Sequence, residues 1–110
     1  MSTPAGNGIH DNAALLRQAE TLRDLRHRRR RLERATRGAP ESTPEWRKVT
    51  AQYDQRLVAI ARTLAVDPPG TPPSCDERRL LSAEHRTEIE LRLAGAGVDF
   101  WDPRGEVFPN

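Results

Sequence analysis

The sequence predicts an all-α protein: an antiparallel, coiled-coil-like helical hairpin, then a short third helix and a small C-terminal β-hairpin or extended aromatic tail. Three observations support this prediction. Apolar residues recur at helical spacing through an arginine-rich segment, a second apolar stripe starts at Trp46, and Gly38 and Pro40 separate the two. The expected organisation is a flexible tail over 1–10, the hairpin over 11–66, a Pro-rich linker over 67–75, and a short helix with an aromatic segment over 76–110.

The first predicted helix begins near Ala13, because Asp11 or Asn12 is able to cap it through a short polar side chain. Apolar residues then follow a period near 3.5 at positions 15, 19, 22, 25, 32 and 35. Gly38 and Pro40 end the helix, since glycine tolerates the left-handed cap and proline cannot continue the hydrogen-bond ladder.

The second predicted helix has a clear start. Thr43 is a suitable cap, Pro44 suits the first helical position, and Glu45 meets the positive end of the helix dipole. The apolar stripe that follows comprises Trp46, Val49, Tyr53, Leu57, Ile60 and Leu64.

Two helices joined by a short turn are expected to fold back on one another. With the turn near Pro40, Arg26 falls near Asp54 as an exposed ion pair. Arg29 occupies a seam position that heptad counting assigns to an apolar residue.

The segment after the hairpin holds four of the nine prolines and is predicted to be an extended spacer. Ser82 is expected to cap a third helix from Ala83 to about Ala94, closed by Gly95 and Gly97. Residues 98–108 have the composition of a β-hairpin around a type I turn at 102–105.

Composition predicts a thin core and therefore a partner subunit. The chain has 110 residues, a net charge of +2 and 35% hydrophobic residues. We expect a homodimer formed by pairing two hairpins, with Leu16, Val58 and Leu91 as candidates for the second contact. The single cysteine, Cys75, and the lack of a long apolar run favour a cytoplasmic protein without a membrane segment.

The first helix carries a candidate basic binding face. Its members are Arg23, Arg26, Arg28, Arg29, Arg30, Arg31 and Arg34. Such a cluster suits phosphate groups or an acidic protein surface. However, consecutive helical residues point about 100° apart, so 28–31 cannot all line one groove. A solvated or acid-paired face is the competing interpretation.

Three aromatics near the end, Phe100, Trp101 and Phe108, are candidates for docking a partner. Docking on the protein's own helices explains them equally well. No catalytic residue, cofactor site or metal site is predicted, since Cys75 and His85 match no known ligand spacing. An enzyme with a polar core site around Arg29 remains a third hypothesis.

The predicted function is a non-enzymatic protein–protein interaction module, such as a small adaptor, regulator or accessory subunit. Its partner is expected to be a second copy or an acidic protein surface, met by the basic first helix. The alternative is a nucleic-acid-associated protein that binds the phosphate backbone through the same arginines.

Overall fold

Helices dominate the described part of the chain, as the sequence predicted. The computed structural model describes residues 4–36 and 43–100, with the side chains of the first helix described from Ala13 onward. These residues form α1 (Pro4–Thr36), α2 (Pro44–Thr63) and α3 (Ala83–Gly95). Helix α2 contacts both α1 and α3. None of the helices in these ranges is long and apolar enough to cross a membrane.

Helix α1 begins at Pro4, earlier than the predicted start near Ala13 and inside the segment expected to be a tail. Proline suits the first turn of a helix, and extending an existing helix avoids the cost of nucleation. Gly6 and Gly8 each cost about 1 kcal/mol relative to alanine in a helix interior, so α1 extends through this segment despite two unfavourable residues.

The starts of α2 and α3 are where the sequence predicted them. Thr43 precedes α2 in an extended conformation but makes no side-chain capping hydrogen bond, and Pro44 is the first helical residue. At α3 the Ser82 hydroxyl accepts a hydrogen bond of 3.1 Å from the backbone N–H of His85. These local signals need no tertiary contact to act, which explains why they can be recognised in the sequence.

Helices α2 and α3 end in the same backbone motif with different residues. After α3, Gly97 has a φ of 91°, and Val98 N–H donates to the carbonyl of Leu93 at 3.0 Å. After α2, Ala65 has a φ of 58°, and Val66 N–H donates to the carbonyl of Ala61 at 2.9 Å. This second end occurs before Pro68, because the left-handed residue already terminates the ladder.

The core cluster draws on all three helices. Its fully buried members include Leu22 from α1, Tyr53, Leu57 and Ile60 from α2, Ile89 and Leu93 from α3, and Phe100. Val58 is 1% exposed within this cluster, so it does not provide the second contact that the sequence suggested. Leu16 and Leu91, the other two candidates, are 63% and 55% exposed.

Residues 67–82, which we call the strap, lie along α2 rather than away from it. Arg62 donates to the carbonyls of Thr71 and Pro72, and Arg47 donates to the carbonyl of Glu77. From Arg62 back to Arg47 the helix rises about 22 Å. From Thr71 to Glu77 an extended chain covers about 20 Å. Hydrogen bonds therefore tie the Pro-rich segment, which was predicted to be a spacer, to the helix before it, and the strap includes turns at 68–71 and 76–79.

The predicted C-terminal β-hairpin involves residues 98–108, most of which lie outside the described residues. Residues 98–100, which are described, are not in a strand. Phe100 is fully buried and belongs to the core cluster.

Candidate functional site

Two of the seven candidate arginines point into the protein. Arg26 is 13% exposed at its side chain and donates to Tyr53 Oη at 2.7 Å and Glu90 Oε2 at 2.6 Å. Tyr53 in turn donates its hydroxyl proton to Glu90 Oε2 at 2.5 Å. The sequence expected Arg26 to pair with Asp54 on the surface. It instead joins α1 to α3 across the tyrosine of α2.

Burial sets the protonation state of this cluster. Desolvation raises the pKa of Tyr53 well above 10.0, and the neighbouring negative charge of Glu90 raises it further. The phenol therefore stays protonated and donates to Glu90, while Arg26 supplies the positive charge that the buried carboxylate needs. Each of the three side chains has hydrogen-bond partners within the cluster, so the cluster holds the three helices together.

Arg29 fills the seam position that lacks an apolar residue. Its guanidinium lies 5.5 Å from the ring centroid of Trp46 and 5.4 Å from that of Tyr53. It also donates to Thr50 Oγ1 at 3.1 Å and pairs with Glu33 at 3.1 Å. Stacking on two rings contributes favourable cation–π energy and lets a charged residue occupy a helix interface.

The surroundings of Arg29 destabilise its charged form. Burial lowers the pKa of Arg29, and the positive charge of Arg86 lowers it further, while Glu33 opposes both. Glu33 is itself held by Trp46, whose Nε1–H donates to Glu33 Oε2 at 3.0 Å. At the position of the hypothetical enzyme site, the guanidinium of Arg29 is therefore packed against two aromatic rings and paired with the carboxylate of Glu33.

A second buried ion pair joins α2, α3 and the strap. Arg86 Nε donates to Asp54 Oδ1 at 2.7 Å and Arg86 Nη2 donates to Asp54 Oδ2 at 2.9 Å. Asp54 Oδ2 also accepts from the backbone N–H of Leu81, and Arg86 donates to the carbonyl of Leu81, each at 2.9 Å. Burial lowers the pKa of Arg86, but the hydrogen bonds and charge of Asp54 outweigh it, and the pKa is raised overall.

The exposed members of the seven candidate arginines lie together. Arg28, Arg31 and Arg34 are exposed, whereas Arg23 and Arg30 are half-buried. The first three line a groove of about 550 Å³, which we call the basic groove; its other lining residues are Leu32, Ala35, Glu45 and Val49. Within the described ranges none of these three arginines makes an ion pair.

The seven predicted arginines therefore do not form one binding face. A helix turns about 100° per residue, so 26 and 29 face α2 while 28, 31 and 34 point to the solvent side of the same contact. The apolar floor of the basic groove comes from Leu32, which is half-buried, and Val49, which is buried. Guanidinium groups above an apolar floor are able to bind a carboxylate-bearing surface that also carries apolar side chains.

Helix α3 presents the opposite charge on its outer side. Ala83, Glu84, Thr87, Glu88 and Leu91 line a shallow surface of about 440 Å³, which we call the α3 outer face. Glu88 pairs with Arg92 at 3.0 Å, but both side chains are about half exposed, at 52% and 41%. An exposed pair of this kind contributes under about 1 kcal/mol and exchanges readily.

Of the three C-terminal aromatic candidates, Phe100 lies within the described residues. Phe100 is buried in the core, with the guanidinium of Arg26 lying 5.7 Å from its ring centroid. Trp101 and Phe108 lie outside the described residues. The described ranges contain no group of three or more His, Cys, Asp or Glu side chains able to hold a metal ion. Burial raises the pKa of the Cys75 thiol to about 11, which keeps it protonated at neutral pH.

The sequence contained a signal for the buried networks. Residues 86, 89, 90 and 93 recur at spacings of three and four, so Arg86 and Glu90 share the apolar stripe of Ile89 and Leu93. Asp54 shares a stripe with Leu57 in the same way. A charged residue on a core-facing position predicts a buried partner, although the spacing does not identify that partner.

Comparisons of the chain with protein-family models, with curated proteins and with solved structures find no match. The function of this chain is therefore inferred from the geometry of the basic groove and of the α3 outer face.

Proposed function

We propose that this protein is a non-enzymatic interaction module whose basic groove binds an acidic, amphipathic helix of a protein partner. The groove is built on an antiparallel hairpin of α1 and α2. In support, Arg26 meets Tyr53, Arg29 meets Thr50 and Glu33 meets Trp46, so residue numbers fall along α2 as they rise along α1.

The observation that carries the proposal is the group of exposed arginines over an apolar floor. Arg28, Arg31 and Arg34 recur every three residues, which places their side chains along about 9 Å of the helix. Arg26 and Arg29 of α1 have carboxylate partners within the chain, but these three arginines do not within the described residues. A partner helix with carboxylates and apolar side chains on one face would pair with these arginines and at the same time cover Leu32.

Nucleic acid is a weaker candidate for this groove. Arg26 and Arg29 are committed to inward contacts, which leaves fewer cations for a phosphate backbone. Glu45 lines the groove and would repel phosphate, and an apolar floor has no role in a backbone contact. An acidic amphipathic helix would place its apolar side chains on the floor of the groove. Its carboxylates would lie towards α1 and so would not face Glu45 on α2.

We also propose that the protein acts in the cytoplasm. Cys75 is the only cysteine in the chain, so no disulfide forms within it, as is usual for a reducing compartment.

The proposal is tested by measuring binding with fluorescence anisotropy. The probe is a labelled, designed helical peptide with glutamates and leucines on one face, compared with a charge-reversed peptide and with a DNA duplex. We expect the acidic peptide to bind, and added salt to weaken the binding.

Two variants separate a specific groove from general attraction. Arg31→Glu is expected to weaken peptide binding roughly tenfold or more, because it replaces attraction with repulsion at the groove. Arg78→Glu makes the same change of net charge on the exposed part of the strap and should leave the affinity unchanged. Equal losses in both variants, or tighter binding to DNA than to the peptide, would contradict the proposal.

A further inference from the structure

We propose that the occupant of the basic groove is the α3 outer face of a second copy of this chain, so that the protein self-associates. This inference rests on the proposed function of the groove and names its partner. The two surfaces belong to different helices, and every copy carries both of them.

The spacing of charges on the two surfaces agrees. Glu84 and Glu88 lie one turn apart on α3, separated by about 6 Å along the helix axis. Arg28 and Arg34 lie about 9 Å apart along α1, with Arg31 between them. Two carboxylates of one helix thus fit within the length covered by three guanidinium groups of the other.

The apolar residues complete the match. Leu91 follows Glu84 and Glu88 on the same side of α3 and is 55% exposed. A large apolar side chain between charged neighbours gains by reaching an apolar surface. Half-buried Leu32 on the floor of the basic groove provides that surface.

The same chemistry already joins α1 to α3 within one chain. Arg26 of α1 binds Glu90 of α3 on the buried side of both helices. On their exposed sides, α1 carries Arg28, Arg31 and Arg34 at the basic groove and α3 carries Glu84 and Glu88. Glu88 also has an exposed contact with Arg92. Because a charged surface attracts its complement, copies of this chain attract one another.

This contact differs from the bundle of two hairpins that the sequence suggested. Val58 is buried, and the strap and α3 lie against α2. The apolar stripe of α2 is therefore covered within the chain and is not available to a second hairpin. When two copies place α3 in each other's groove, both copies of the contact are made and the assembly closes as a dimer.

The test uses the full chain and measures its mass in solution by light scattering and sedimentation at low and high ionic strength. We expect a dimer at low salt that shifts towards monomer at high salt. Arg31→Glu and Glu88→Arg should each raise the dimer dissociation constant roughly tenfold or more, because each change acts at both copies of the contact. Arg78→Glu, with the same change of net charge as Arg31→Glu, should leave it unchanged.

Mixing two charge-reversed variants provides the most direct test. Mixing the Arg31→Glu variant with the Glu88→Arg variant should restore a dimer of one copy of each, since every contact then has opposite charges again. All positions changed are exposed, and circular dichroism is measured to check that each variant remains helical. A monomer at every concentration and salt, or no recovery on mixing, overturns the inference. If such a monomer still binds the designed acidic peptide, the groove function stands; if it does not, both proposals fail.

Discussion

Removing the buried carboxylate of Asp54 should strongly destabilise the protein. Its side chain is fully buried, and Arg86, which it binds through two hydrogen bonds, is 9% exposed at its side chain. Asp54→Ala leaves that guanidinium buried without a partner and removes the acceptor of Leu81 N–H. Breaking a buried pair in this way costs about 3–5 kcal/mol. Domains of this size have a total stability of about 5–15 kcal/mol.

The loss is measured as the change in the free energy of unfolding in urea, followed by far-ultraviolet circular dichroism. Glu88→Ala is the matched control, because it breaks an arginine–carboxylate pair that is about half exposed. Its expected cost is under about 1 kcal/mol. Both variants are compared at a protein concentration at which the chain is monomeric, so that association does not contribute to the difference.

The double variant Asp54→Leu with Arg86→Met separates charge burial from packing. Replacing a buried pair by apolar side chains is often close to neutral, so most of the loss should be recovered. Leu81 N–H remains without its acceptor, which accounts for a residual cost of about 1–3 kcal/mol. A cost below about 1 kcal/mol for Asp54→Ala, similar to that of the control, would refute the burial argument.

Three further changes test other parts of the structure. Tyr53 is the only tyrosine, so phenolate absorbance reports it alone. Because burial raises its pKa well above 10.0, its contribution to stability is complete below about pH 10. That contribution is lost as the pH rises through the folded pKa, by about 1.4 kcal/mol per pH unit. A phenolate signal near pH 10 from folded protein would contradict this expectation. Cys75, with a pKa of about 11, should be alkylated slowly at neutral pH. Gln55→Ala removes the acceptor of the Cys75 N–H and should speed the reaction, whereas an unchanged rate would show that this bond does not hold the strap. Finally, Ala65→Gly should stabilise by about 0.5 kcal/mol and Gly97→Ala destabilise by about 1 kcal/mol, because both positions have positive φ. A Cβ at Gly97 would have no atom within 4 Å, so steric contact would not contribute to the effect of that variant. Changes of the same sign in the thermal unfolding midpoints of the two variants would therefore rule out a purely conformational effect.

The polar networks show where inference from sequence met its limit. The pattern placed Arg29 in the seam of α1 and α2, yet the rings of Trp46 and Tyr53 that accept its charge belong to another helix. Arg26 was expected to pair with Asp54, but the carboxylate of Glu90 is its partner. Choosing between two carboxylates needs the position of α3, which no local pattern specifies.

The strap illustrates the same limit. Proline content predicted an extended segment, since proline restricts its own backbone. It did not indicate that Arg47 and Arg62 would hold that segment along α2. Those arginines lie outside the apolar stripe, and a sequence pattern gives no reason to prefer a backbone carbonyl over water as their partner.

What the sequence alone determined is local: the starts of α2 and α3, the glycine that ends α3, and the apolar face of α2. Caps, propensities and periodicity act within a few residues, so they can be identified without a fold. Only the tertiary structure decided which arginines are buried beside Tyr53 and which remain exposed in the basic groove. The physical reason is that a charged side chain is stabilised by partners from distant parts of the chain, and only the packing of the helices brings those partners within reach.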